Sequence, residues 1–175
     1  SMATLSEVRL MAAVDLSRPA EKEAPALAPT AAPDQENVPA RPLPKLDKEQ
    51  SNLALFIARR YQVAHENTQF FVDAAYKAAR EYKLDPWLVL AVAAVESSFN
   101  PEATSGKGAH GLMQVLTRVH AEKYAPFGGV AAAFDPIANF KVGARILRDY
   151  IVRDGSIEGA LKSYVGAAFL DDDRG

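Results

Sequence analysis

Glu96 closes the apolar run Trp87-Leu88-Val89-Leu90-Ala91-Val92-Ala93-Ala94-Val95 and is followed by Ser97-Ser98-Phe99-Asn100-Pro101. A carboxyl group there is pushed towards its neutral form from two sides. Apolar neighbours disfavour the charged state. The C-terminal end of a helix carries a partial negative charge that repels a carboxylate. Hydrogen bonds from Ser97, a tyrosine or backbone N–H groups would oppose both effects. The expected balance is an acid still protonated near neutral pH, able to protonate a leaving oxygen. Position alone leaves a second reading open, in which Glu96 only caps or pairs at a helix end. Downstream, Gly106, Gly108 and Gly111 mark a loop whose backbone could approach a ligand closely. The string Ala109-His110-Gly111-Leu112-Met113-Gln114 then supplies an apolar floor and one amide. Gln114 can donate and accept, as sugar hydroxyls and acetamides require. No Lys-Ser/Thr follows the glycines, so this is not a phosphate loop.

The elements around these residues read as helices. Asp47 can cap a first helix with Leu53, Ile57 and Tyr61 on one face, ending near His65. Asn67 is expected to cap a second, with Phe70, Ala74, Ala78 and Tyr82 in line. Asp85-Pro86 is a cap followed by proline at the first helical position. It opens a third helix, Pro86 to about Ser97, apolar all round and expected at the centre, with Asn100-Pro101 as its stop. Residues 101–111 are loop, and Thr117 to about Tyr124 is a short helix. Asp135-Pro136 repeats the cap-plus-proline signal for a helix to about Arg153, with Phe140, Ala144, Leu147 and Ile151 inward and Asp154-Gly155 as its end. Ser156 caps a last helix with Ile157, Ala160, Leu161 and Tyr164. No strand pattern appears. Residues 47–175 therefore read as one all-α domain.

The N-terminal part differs. Residues 3–16 have the spacing of a short helix, and residues 17–46 hold 7 of the 11 prolines. Residues 1–46 are thus expected to be a largely disordered segment and Pro/Ala-rich linker, a spacer or a docking strip. Ser1-Met2 reads as an expression scar, which leaves open a targeting segment ahead of it. The net charge of −2, from 20 basic and 22 acidic side chains, gives no electrostatic case for nucleic acid. Cysteine is absent, which excludes disulfides and thiolate metal sites. His65, His110 and His120 lack metal-ligand spacing, so neither a metal nor a cofactor is expected. Arg145, Arg148 and Arg153 read as a solvated face.

The blocks Glu96-Ser97-Ser98-Phe99-Asn100-Pro101, Ala103, Ser105, Gly108-Ala109 and Gly111-Leu112-Met113-Gln114 resemble the catalytic domain of soluble lytic transglycosylases, bacterial peptidoglycan enzymes. Asp135-Pro136 with Asn139 and Gly143 resembles a second family motif, and Ser163-Tyr164-Val165-Gly166-Ala167 a third. The resemblance covers about residues 68–170. It implies a lysozyme-like helical fold of the goose-type lysozyme kind. It implies Glu96 as sole acid/base, Ser97 orienting substrate, and Ser105, Met113 and Gln114 at saccharide subsites. It also implies that Tyr164 holds Glu96 through its hydroxyl. Glycosidases usually use two carboxylates, but Asp85 and Asp135 read as caps and Glu102 as exposed. The family's chemistry needs only one, because the muramic acid's own C6 hydroxyl attacks and leaves a 1,6-anhydromuramyl end. Peptidoglycan glycan strands are the implied partner, and the periplasm or cell envelope the implied location. A monomer is expected, with an envelope or secretion machine as partner for the linker. Two departures are visible. Val165 stands where the family has Asn, and the family continues beyond Gly175 into another helix, so a truncated C-terminus is expected. A lysozyme-type muramidase and a non-catalytic glycan-binding module are the alternatives.

Overall fold

The computed structural model describes residues 41–167, and the expectations for residues 3–16, 17–40 and 171–175 lie outside them. Residues 41–46 carry no regular secondary structure. Five α-helices follow: α1 (Lys48–Tyr61), α2 (His65–Glu81), α3 (Pro86–Ser97), α4 (Pro136–Asp154) and α5 (Ile157–Ala167). Between α3 and α4 lie two short strands, β1 (Ala109–His110) and β2 (Val115–Leu116), and two 3-10 helices, Ala121–Phe127 and Val130–Phe134. The domain is all-α in character. The antiparallel β1–β2 pair corrects the expectation of no strands, with Ala109 opposite Leu116 and His110 opposite Val115. A pair this short has no room for an alternating pattern, so no periodicity could announce it.

Local capping sets most boundaries. Asp47 accepts from the Gln50 N–H at 2.8 Å while Gln50 Oε1 accepts from the Asp47 N–H at 3.0 Å, a reciprocal capping box. Asp85 accepts from the Trp87 N–H at 2.9 Å and Asp135 from the Ile137 N–H at 2.8 Å, each with proline just inside the helix. Ser156 likewise accepts from the Gly159 N–H at 3.0 Å. Replacing Asp85 with Ala orphans a first-turn donor of α3, and thermal denaturation should show a loss of about 1 kcal/mol. A variant as stable as the parent would mean that water caps the helix equally well.

The short helix expected from Thr117 to about Tyr124 is instead the 3-10 helix Ala121–Phe127, preceded by a turn, and two α-helix boundaries also differ from expectation. Helix α1 ends at Tyr61 rather than near His65, because Gln62 turns left-handed (φ 56°). Helix α2 then starts at His65, with no side-chain cap, and Asn67 lies inside its exposed first turn, where water can satisfy the orphan N–H groups. Buried Thr68 joins the helices instead, donating to Ala54 O at 2.8 Å and His65 O at 3.0 Å.

The core runs along the inner faces of all five helices, with Phe71, Val89, Leu90, Phe140 and Leu147 among its buried side chains. Helix α4, not α3, is central. It packs on α2, α5, β2 and both 3-10 helices. Its expected inner face holds, with Phe140, Ala144 and Leu147 fully buried and Ile151 half-buried. Helix α3 buries Val89, Leu90, Val92, Ala93 and Ala94 but leaves Val95 56 % exposed, so it lies at the edge of the core with its last turn near solvent.

Candidate active site

Helix α3 stops two residues before Asn100 is reached. Ser98 (φ 51°) and Phe99 (φ 60°) are both left-handed, a conformation that non-glycine residues adopt at a cost of about 1 kcal/mol or more each. Phe99 is held there by complete burial and by an edge-on contact with Tyr61 at 5.0 Å between ring centroids. The tight reversal leaves Glu96 on the last turn, half-buried, with Oε1 sealed from solvent and without a hydrogen-bond partner. Burial alone pushes its pKa up to about 7. An unpartnered buried oxygen is far less costly on a neutral carboxyl than on a carboxylate. The sequence expectation of a protonated acid near neutral pH therefore has a geometric basis.

The floor beside Glu96 is the turn between β1 and β2, and Asn139 of α4 builds it. Its fully buried amide accepts from the Met113 N–H at 2.8 Å and donates to His110 O and Ala133 O, both at 2.9 Å. Gly111 (φ 78°) lies so close that a Cβ would stand 2.2 Å from Ala133 O and 2.4 Å from the Asn139 amide nitrogen. Gly143, one helical turn after Asn139, leaves room for Met113, whose sulfur would lie 2.4 Å from a Cβ there. The Asn139–Gly143 spacing thus seats Met113. The glycine expectation needs correcting at Gly111, which admits protein rather than ligand, whereas Gly106 and Gly108 have open space around them.

Several residue roles shift with this geometry. Met113 is fully buried, so it supports the floor and does not line an open subsite. Ser97 donates its hydroxyl to Leu112 O at 2.7 Å and Ala93 O at 3.0 Å, which staples the floor to α3. Ser105 accepts from the Ala109 N–H at 3.0 Å and closes the loop onto β1. Tyr164, buried on α5, donates to Met113 O at 2.9 Å rather than to Glu96. Glu96 still lies near enough for its charge to oppose ionisation of Tyr164, whose pKa burial already raises strongly. Gln114, itself left-handed (φ 49°), donates through Nε2 to Ala103 O at 3.0 Å and Gly111 O at 2.9 Å. Both amide hydrogens are engaged, so Gln114 offers a ligand only its Oε1.

Gln114 and Tyr164 open onto a pocket whose other walls are Val115, Leu116, His120, Ile146, Tyr150 and Ala167. His120, Ile146 and Tyr150 were not singled out by sequence as site residues. Ile146 and Tyr150 share one face of α4 by their spacing of four, but nothing local marks that face as lining a cavity. Among the described residues no carboxylate lines this pocket, and Glu96 itself is not one of its walls; Asp85 and Asp135 are engaged as caps. Among the described residues no cluster of His, Asp or Glu could hold a metal ion.

Residues 73–171 match the family described as the transglycosylase SLT domain. A transglycosylase of Enterobacteria phage PRD1 is 44 % identical over 89 residues, covering 51 % of this chain and 32 % of the phage protein. Membrane-bound lytic murein transglycosylase C of Actinobacillus pleuropneumoniae serotype 5b (strain L20) is 36 % identical over 97 residues, covering 51 % of this chain and 26 % of that protein. The matched region therefore amounts to about a third or less of these relatives.

Proposed function

The chain belongs to the family of transglycosylase SLT domains, and from that membership we propose that it is a peptidoglycan lytic transglycosylase with Glu96 as its sole acid/base. The bond cut is the β-1,4 link from N-acetylmuramic acid to N-acetylglucosamine. The observation that carries this reading is the desolvated carboxyl group of Glu96, with a pKa of about 7, while among the described residues no carboxylate lines the pocket formed by Gln114, His120 and Tyr164.

Glu96 in its neutral form gives its proton to the glycosidic oxygen as the C1–O bond breaks, while the substrate's own acetamide oxygen supports the positive charge on C1. Glu96, now a carboxylate, takes the proton of the C6 hydroxyl. That oxygen attacks C1 and closes the 1,6-anhydro ring. The acid is restored, and no water, metal or external nucleophile is consumed. An intramolecular hydroxyl has a high effective molarity, worth several kcal/mol of barrier, so a second carboxylate to activate water is not needed. The strained Ser98–Phe99 reversal keeps the acid on the last turn of α3, and the Asn139-built floor is tied to that turn through Ser97. Val165, in place of the family's Asn, removes one polar group from α5, so orientation rests more on Gln114 and on the wall formed by α4.

This reading puts the working domain at the cell wall, in the periplasm or envelope. No described helix is long and apolar enough to cross a membrane. The test is digestion of purified peptidoglycan followed by mass spectrometry of the fragments. Muropeptides ending in 1,6-anhydromuramic acid, 18 Da lighter than hydrolysis products, are expected. Reducing muramic acid ends would make it a muramidase, and binding without soluble fragments would make it a glycan-binding module.

A further inference from the structure

The pocket holds a second polar side chain that the acid/base chemistry leaves unused. His120 lies on its wall, with Nδ1 buried and without a hydrogen-bond partner. A proton on that nitrogen would be a buried donor with nowhere to go. The tautomer protonated on Nε2 avoids that cost and leaves the Nε2–H for a molecule in the pocket. Burial also lowers its pKa, reinforced by Lys123 and opposed by Glu122 and Asp149, so it faces the pocket as a neutral donor. On the same pocket Gln114 presents Oε1, an acceptor, because both of its amide hydrogens are engaged. Val115, Leu116 and Ile146 add apolar wall.

A neutral donor, a neutral acceptor and apolar surface together match one group, a secondary amide bearing a methyl. We propose that His120 is a specificity residue for the N-acetyl group of a bound sugar, its Nε2–H donating to the acetamide carbonyl while Gln114 Oε1 accepts from the acetamide N–H. A charged histidine would favour carboxylates; this one favours a neutral carbonyl. The proposal rests on the glycan-cleaving reading for its substrate class, but it is tested by binding alone.

The test compares N-acetylglucosamine trisaccharide with cellotriose, which carries a neutral hydroxyl in place of each acetamide. Titration of the parent chain, followed by NMR, should show tighter binding of the acetylated sugar and a shift of the His120 Nε2 signal. His120→Phe should weaken acetylated-sugar binding about tenfold and leave cellotriose binding unchanged. His120→Gln, whose amide nitrogen reaches about as far as Nε2, should restore most of the loss. If His120→Phe weakens both sugars equally, or neither, the proposal fails. If that variant does not fold, an Nε2 signal in the parent that ignores saturating acetylated sugar overturns it as well. Failure here with anhydro products still formed would leave the proposed reaction standing, and selective sugar binding without cleavage would do the reverse.

Discussion

Glu96→Gln should abolish release of soluble fragments, lowering kcat by about 10³-fold or more, while glycan binding persists. The substitution keeps size and shape but removes the transferable proton, and general acid–base assistance is worth about 10² to 10⁴ in rate. In the proposed mechanism one group serves as both acid and base, so both steps would suffer. The pH dependence follows from the raised pKa. In the proposed mechanism the free enzyme acts with Glu96 protonated, so kcat/KM should be flat below pH 7 and fall as pH rises through about 7. Stability should move the other way in the variant. The folded pKa of about 7 lies above the ordinary 4.5, so burying the ionised group destabilises the parent. That penalty is absent below about pH 4.5, grows between 4.5 and 7, and is constant above. The pKa difference sets a ceiling of about 3 kcal/mol. Partial exposure of Glu96 to water reduces it to roughly 1–2 kcal/mol. Glu96→Gln should therefore be more stable than the parent at pH 8 and no more stable at pH 4. Parent-like fragment release, or no pH-dependent difference in denaturation, would remove Glu96 from the role.

How far this site could be read from sequence depends on the range of each interaction. Asp47, Asp85 and Asp135 act on N–H groups two or three residues away, so their cap signals were legible and the helices start where they should. Asn67 looked the same in sequence. Helix α2 starts earlier because Thr68 bonds across to Ala54, fourteen residues back, and long-range bonds leave no local mark. Glu96 was legible because the apolar run that desolvates it is contiguous with it. Its neighbours were not, because their roles depend on which atom is already occupied. Ser97, Gln114 and Tyr164 all carry polar groups suited to a sugar, yet each donates to a backbone carbonyl brought close by folding. Sequence gives the inventory of donors, whereas the fold decides which remain free. His120 is the converse case. It read as one of three unremarkable histidines, and only the fold shows its Nδ1 buried without a partner and its ring on the pocket wall.

Gly111→Ala should destabilise the domain by about 3–5 kcal/mol, a large share of the 5–15 kcal/mol typical of a whole domain. Three costs combine. The left-handed backbone at Gly111 (φ 78°) costs an alanine about 1 kcal/mol. The new Cβ would stand 2.2 Å from a backbone oxygen of Ala133, which no side-chain rotation can relieve. It would also press on the Asn139 amide, whose displacement frees the Met113 N–H and the His110 and Ala133 carbonyls, buried groups worth about 1–3 kcal/mol each when orphaned. Gly106→Ala is the control in the same loop. It meets nothing within 4 Å and its φ is not left-handed, so it should be neutral or stabilise by up to about 1 kcal/mol through the unfolded chain. Urea denaturation of both variants separates the two kinds of glycine. If the domain instead tolerates Ala at position 111 as well as at 106, Asn139 is not the clamp that fixes the floor. If Gly111→Ala does fold, the shift of Met113 and Gln114 should still lower activity without moving the pKa of about 7 that burial at the end of α3 gives Glu96. If the floor positions the glycan while the last turn of α3 sets the acid, a lesion in the floor should leave the pH profile intact.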